Sequence, residues 1–360
     1  MAATTTPRRL LSDLFRLEHV ALFGRGRAGL AALLDEAAVA GKPVLVPSNI
    51  CPAILAAIIG AGGLCRPVPV SPLTGLADDA RMAAALRAEP SPHGVVMPAH
   101  LYGFWTSYAE TARLARSKGW LMIENDCMAS LAAPTGTRPA PLGDAVLVSF
   151  GAGKTIDADG GGAVLTDDGD LAAALERRAA PWPAVAQDDE RVERHLTEAR
   201  RALRVLGRAE MAESLLPLDT PHLRHGFDDR LAPALETALA SFGEGCRRRR
   251  DIFFLWQDAL RRFGDEIIIP SFETMAPWRL ICRLRREGLR DRLADHLRDA
   301  GVDVGINYPP LTDGFPGLLA GHTHANADLW GANVLNFWLS DRYEPGRIRQ
   351  AADLIGRFLE

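Results

Sequence analysis

Cysteine is scarce in this 360-residue chain and follows no pattern. The five residues, Cys51, Cys65, Cys127, Cys246 and Cys282, are odd in number and widely spaced, with no C-x-x-C pair. That argues against a disulfide framework or a zinc centre and fits a reducing cytoplasm. A large charge of one sign is also missing. The 41 basic and 45 acidic residues leave a net charge of −4, which favours no nucleic acid or other polyanionic partner. The one dense basic run, residues 247–250, reads as a solvated helix face. The N-terminal MAATTTPRRLL has two arginines but no apolar stretch behind them, so neither a secretory signal nor a membrane span is expected. Internal repeats and low-complexity linkers are lacking too. What remains is 48% hydrophobic and 24% charged, the composition of a soluble globular protein with a large core.

The first half alternates short apolar runs with helical patterns. The runs are VLVPS at 44–48, GVVMPAH at 94–100, WLMIEND at 120–126, AVLVSF at 145–150 and GGAVLTD at 161–167. Most are continuously apolar, as strands covered on both faces are. Between them lie stretches such as RAGLAALLDEAAVAG and SYAETARLARSKG, with apolar residues at three- and four-residue spacing and a glycine near each end. The alternation predicts an α/β fold with a mostly parallel sheet and right-handed crossovers. Residues 171–223 read as helical and charged, and 229–262 as one long amphipathic helix or two joined ones. The C-terminal part follows a different pattern, with a strand at 279–285, a helix in GLRDRLADHLRDAG, a strand in VDVGINY and a closing helix in PGRIRQAADLIGRFLE. The expected division is a large domain over 1–245 and a small α+β domain over 246–360.

Three segments carry chemistry. In SFGAGK, residues 149–154, a strand ends in a glycine-rich loop bearing Lys154. A lysine beyond the carboxyl end of a strand sits where open α/β folds bind ligands, and partial desolvation there makes its amine nucleophilic. The alternative is a solvated surface lysine; the loop does not match a nucleotide P-loop. Asp126 ends WLMIEND, 28 residues earlier. It reads either as an acid facing the same crevice or as a helix N-cap. FGRGRAGLAALL at 23–34 puts a Gly-Arg-Gly-Arg turn at a helix start. Free backbone N–H groups and the helix dipole favour a phosphate there, with charge-assisted contacts from Arg27 and the Ser149 hydroxyl as a further donor; the alternative is a plain glycine turn.

Phosphate cradle, acid and lysine follow in the order of pyridoxal-5′-phosphate (PLP) enzymes of fold type I. The chain resembles the DegT/DnrJ/StrS sugar aminotransferases in GRGRAGL, VLVPSNICPAILAAI, AHLYG, IENDCMAS, GDAVLVSFGAGK and GGGAVLTDD. The likeness is clear over residues 20–170 and weaker beyond. It implies the aspartate-aminotransferase fold, with a seven-stranded mostly parallel sheet between helices plus a small C-terminal domain. It also implies a homodimer with active sites at the interface. By the resemblance, Lys154 carries PLP as a Schiff base and moves the substrate proton. Asp126 pairs with the ring nitrogen, while Ser149, Gly26 and Arg27 hold the phosphate. His100 lies near the site or serves as a hydrogen-bonded structural histidine, and Tyr308 lines the substrate entrance.

Four departures from the family stand out. The aromatic residue usually stacked on the cofactor ring falls at Cys51 or Asn49. Asn125 replaces an acid before Asp126, and Ala129 replaces the usual Gln or His. The family's G-x-N-x-R, whose Asn reaches the neighbouring subunit's phosphate, reads Gly226-Phe227-Asp228-Asp229-Arg230. Asp228 there needs Arg224, His225 or Arg230 to offset its charge. Residues 171–223 also differ from the family pattern. The expected function is transfer of an amino group from glutamate or glutamine to a keto-sugar or related ketone. Other PLP chemistry, such as elimination, and a catalytically silent binding protein on the same fold are the alternatives.

Overall fold

Aliphatic strands without polar alternation need cover on both faces, and the helices between them supply it. The computed structural model describes residues 5–130, 139–270, 277–322 and 325–360. The principal sheet contains β1 (His19–Phe23), β2 (Pro43–Pro47), β3 (Leu64–Val68), β4 (Val95–Val96), β5 (Leu121–Asn125), β6 (Ala145–Ser149) and β7 (Gly162–Thr166). Their spatial order is β1-β7-β6-β5-β4-β2-β3. The pairs from β6 through β5, β4 and β2 to β3 are parallel, and β7 is antiparallel to both β6 and β1. Six strands thus point one way and β7 the other, as the expected mostly parallel seven-stranded sheet requires.

All of β2 and β7 is buried. The helix Gly26–Glu36 buries Gly26 and every residue from Ala28 to Leu34. A helix with so little polar face belongs in the interior, between sheet and neighbouring helices. Helix Ala109–Lys118 stops where Gly119 takes a left-handed φ of 65°, the expected glycine C-cap. GVVMPAH yields only the two-residue β4. The strands β1 and β3 do not show in the apolar pattern. LCRPV interrupts its apolar run with Arg66 and Pro67, tolerated because β3 is an edge strand.

The second sheet is antiparallel, with β8 (Ile267–Ile268), β9 (Arg279–Leu284), β10 (Val304–Gly305) and β11 (Val334–Trp338) in the order β10-β11-β9-β8. VDVGINY contributes only β10, and β11 is not expected from the sequence. The closing helix, Pro345–Leu359, buries Ile348, Ala351, Ala352 and Ile355, the spacing of one helical face. Residues 229–262 form two joined helices, Ala232–Ala240 and Phe242–Leu260, with short 3-10 turns at either end. Phe242 and Cys246 pack with Leu11 and Phe15 of the first helix, whereas Phe253, Trp256 and Leu260 pack with Leu280, Phe337 and Ile355. The 245/246 division therefore falls within a continuous helix that links two packing groups. Residues 171–223 are helical, as expected: Gly169–Ala179, Gln187–Val205, Ala209–Ser214 and the 3-10 turn Leu216–Leu223. No described helix is long and apolar enough to cross a membrane.

Candidate active site

Ligands of open α/β sheets sit beyond strand carboxyl ends. Five such ends converge here on one cavity of about 180 Å³. Arg25, Gly26 and Arg27 follow β1; Ile50, Cys51, Ala53 and Ile54 follow β2; His100 and Leu101 follow β4. Asn125, Cys127 and Met128 come from the end of β5, and Ser149 and Lys154 from the end of β6. Tyr308, beyond β10 of the second sheet, lines the same space. Of the predicted residues, Gly26, Arg27, Cys51, His100, Ser149 and Lys154 are thus brought together.

The helix Gly26–Glu36 begins without a side-chain cap, which leaves its first N–H groups for an anion. Ser149 adjoins that terminus. A Cβ added at Gly26 would come within 2.9 Å of Ser149 Cβ and 3.3 Å of its Oγ. Gly162 is packed against the same turn, where a Cβ would lie 2.3 Å from Gly26 N. These glycines hold the backbone close enough for a phosphate to meet the helix terminus and the serine at once. The residues present therefore fit the phosphate of PLP.

Lys154 projects from a loop held at several points. Trp278 donates its indole N–H to Gly153 O at 2.7 Å, Arg249 donates to Lys154 O at 3.3 Å, and Asp157 accepts from Gly153 N–H at 2.7 Å. Thr155 donates its hydroxyl to Met128 O. The ammonium lies 3.8 Å from Met128 Sδ and 6.0 Å from the Trp278 ring centre, and no described carboxylate pairs with it. The side chain is half-buried and lines the cavity. A lysine placed among such neighbours is available for covalent chemistry.

Asp126 is fully buried between Asn125 and Cys127, which both line the cavity. Its carboxylate accepts from Ser130 N–H at 2.9 Å. Burial pushes the Cys127 thiol up to about 11, against the pull of Lys154, so it stays protonated at neutral pH.

His100 is held at both ring nitrogens. Its Nδ1 accepts from Thr106 N–H at 3.2 Å, so Nε2 carries the proton and donates to Glu124 at 3.0 Å. The structural-histidine alternative thus has direct support. Burial alone would raise the Glu124 carboxyl, but His100 and the N–H groups of Leu142 and Gly143 outweigh it and bring it to about 2. A carboxyl lowered from the usual 4.5 to about 2 adds stability that is complete above pH 4.5 and is lost as pH falls through 2. The expected size is about 3 kcal/mol. Urea unfolding of wild type and Glu124→Gln should therefore differ by about that much at neutral pH. The gap should close between pH 4.5 and 2.

Of the two ring-stacking positions, Cys51 lines the cavity at the start of helix Pro52–Gly60. Asn49 instead turns its amide to Gly75 O at 2.8 Å. Ala129, buried with φ 46°, donates its N–H to Asp126 O. Asp228 stands apart from the cavity and caps the turn Asp229–Leu231. Arg230 offsets its charge with contacts at 2.5 to 3.0 Å, while Arg224 pairs with Asp35 and His225 with Asp189.

Sequence reasoning missed Glu193. From helix Gln187–Val205 it pairs with Arg27 and lies 3.8 Å from Arg25. Burial lowers Arg27 to about 10, with Arg25 adding to the effect. Nothing local marks Glu193 among the charged residues of its helix.

The DegT/DnrJ/EryC1/StrS aminotransferase family model matches residues 8–337. The erythromycin biosynthesis sensory transduction protein EryC1 of Saccharopolyspora erythraea is 28% identical over 295 residues, 81% of this chain and 71% of that protein. GDP-perosamine synthase of Caulobacter vibrioides is 29% identical over 168 residues, 46% of this chain and 44% of the synthase. The aminotransferase TlmJ from Streptoalloteichus hindustanus has the same fold, with a TM-score of 0.78 at 18% identity over 100% of this chain and 91% of TlmJ. Fold, cavity and family match agree, and the chain belongs to the DegT/DnrJ/EryC1/StrS aminotransferase family, of PLP fold type I.

Proposed function

We propose that this chain is a PLP-dependent aminotransferase that moves an amino group from glutamate or glutamine to a keto-sugar or a related biosynthetic ketone. One observation carries the reading: the Lys154 amine, Ser149 and the uncapped helix terminus at Gly26 and Arg27 open on a single cavity. PLP bound there supplies an electron sink for a carbanion at the substrate's Cα. The chain's own groups do the rest. Gly26, Arg27 and Ser149 would hold the phosphate. Asp126 would keep the ring nitrogen protonated, and Cys51 would take the place of the usual aromatic neighbour. Lys154 would hold the cofactor through its amine and, once freed by the amino donor, would serve as the base that carries the proton at the substrate's Cα. The sugar acceptor is supported by the relative named GDP-perosamine synthase. A homodimer with the active site at its interface, to which Asp228 and Arg230 would contribute, belongs to the same proposal.

The test is a half-reaction. PLP-loaded protein is mixed with glutamate, glutamine or alanine without acceptor, and absorbance is followed. Glutamate or glutamine should bleach the visible band and yield pyridoxamine phosphate. If PLP binds and none of the three donors bleaches it, transamination from common donors is wrong. A silent role then comes forward, consistent with the sensory name of EryC1.

A further inference from the structure

The first residue of β9 is a cation that the proposed reaction has not used. Arg279 is 6% exposed, and its Nε is buried without an acceptor. Its side chain makes no ion pair or hydrogen bond among the described residues. Two indoles hold it: its guanidinium carbon lies 3.9 Å from the Trp278 ring centre and 3.5 Å from that of Trp338. Burial lowers it to about 10, which leaves it charged at neutral pH; the charged or titratable neighbours acting on it are Tyr308 and Arg249, with no carboxylate among them. Aromatic faces offset part of the cost of burying a cation, but an unpaired buried charge still favours an anion.

The position ties this cation to the candidate active site. Lys154 Nζ lies 6.0 Å from the Trp278 ring that Arg279 touches. Tyr308, part of the cavity wall, stacks on that ring at 6.3 Å and 8°. The neighbouring half-buried guanidinium, Arg249, is already committed to the carbonyls of Trp278 and Lys154, both at 3.3 Å. Arg279 is not. Gly305 lies against it, and a Cβ there would come within 2.6 Å of Nη1. The glycine therefore keeps space beside one of the two nitrogens that would grip a planar anion.

We propose that Arg279 is the carboxylate anchor of the amino-donor site, gripping a carboxylate of the incoming amino acid and of the keto acid that leaves. The inference rests on the aminotransferase reading and names the residue that selects its donor. Trp278 and Trp338 fix the guanidinium plane, so only a planar acceptor gains two parallel hydrogen bonds.

The probe is glutarate, a dicarboxylate that has neither amine nor ketone and cannot react. Calorimetric titration of PLP-loaded wild type should show binding. Arg279→Gln should weaken it at least tenfold, and Arg279→Lys should restore part of the loss. In the half-reaction, Arg279→Gln should raise the glutamate concentration for half-maximal rate by a similar factor, with a smaller change in the limiting rate. PLP content should be unchanged. Equal glutarate affinity in wild type and in a folded, PLP-loaded Arg279→Gln overturns the proposal, as does a wild type that does not bind glutarate. If Arg279→Gln fails to fold, Arg279→Lys decides: its single ammonium replaces the planar fork, so unchanged affinity counts equally against the anchor. Should the wild type not take up PLP, the aminotransferase reading fails separately, and the same titration of the PLP-free protein still decides whether this cation binds a carboxylate.

Discussion

Lys154→Ala is expected to bind PLP without covalent attachment and to lose at least about four orders of magnitude in turnover. Two functions end together: the amine that captures the aldehyde and the base that relocates the proton. The substitution adds no bulk, and neither the Trp278 bond to Gly153 O nor the Arg249 bond to the residue 154 carbonyl needs the side chain. The loop should therefore keep its shape, and the loss would be chemical. The assignment of the label is clean because the chain has three lysines, Lys42, Lys118 and Lys154. Lys118 donates to Leu86 O at 3.1 Å and Glu89 O at 2.7 Å, and Lys42 lies outside the cavity. Borohydride treatment of the wild type should abolish the visible band and place the cofactor's mass on the peptide containing residue 154. A label on another peptide, or a Lys154→Ala protein that still turns over at the wild-type rate, would end the proposed mechanism.

Much of this site was legible in the sequence because its parts are local. A glycine-arginine turn before an alanine-leucine helix and a lysine a few residues past an apolar strand each require only short-range geometry. The parallel sheet then brings their strand ends together, so order along the chain became proximity in space. What stayed hidden arrives from far along the chain. Glu193 reaches Arg27 from a helix 166 positions later, and Trp278 and Arg279 reach the lysine from the second sheet. Their neighbours are set by tertiary packing, which no short pattern encodes. The choice between Asn49 and Cys51 also needed three-dimensional structure, since it turns on which side chain satisfies Gly75 O. The strands β3 and β11 were missed for a related reason. LCRPV and VLNFW place arginine, proline or asparagine among their apolar residues, and only pairing with β2 or β9 makes them strands.

Asp126→Asn should lower turnover by about two to nearly four orders of magnitude while leaving the fold intact. The substitution keeps the shape of the side chain and removes its charge. Asp126 accepts Ser130 N–H at 2.9 Å, and the carboxamide oxygen of asparagine can accept the same bond. Stability should therefore change by no more than about 1–2 kcal/mol. The lost negative charge is another matter. In the proposed pairing, a fully buried carboxylate opposite the protonated ring nitrogen would contribute about 3–5 kcal/mol. At about 1.36 kcal/mol per factor of ten, that is roughly two hundredfold to five thousandfold in rate. The comparison with Asp126→Ala isolates the charge. Under the proposed pairing this variant would have room beside the ring nitrogen, so a PLP analogue methylated there, and hence permanently cationic, should restore part of its activity. The same analogue should not help Lys154→Ala. If Asp126→Asn turns over normally with native PLP, the buried carboxylate is only a brace for the turn at Ser130, and the counter-ion of the ring must be sought elsewhere in the cavity.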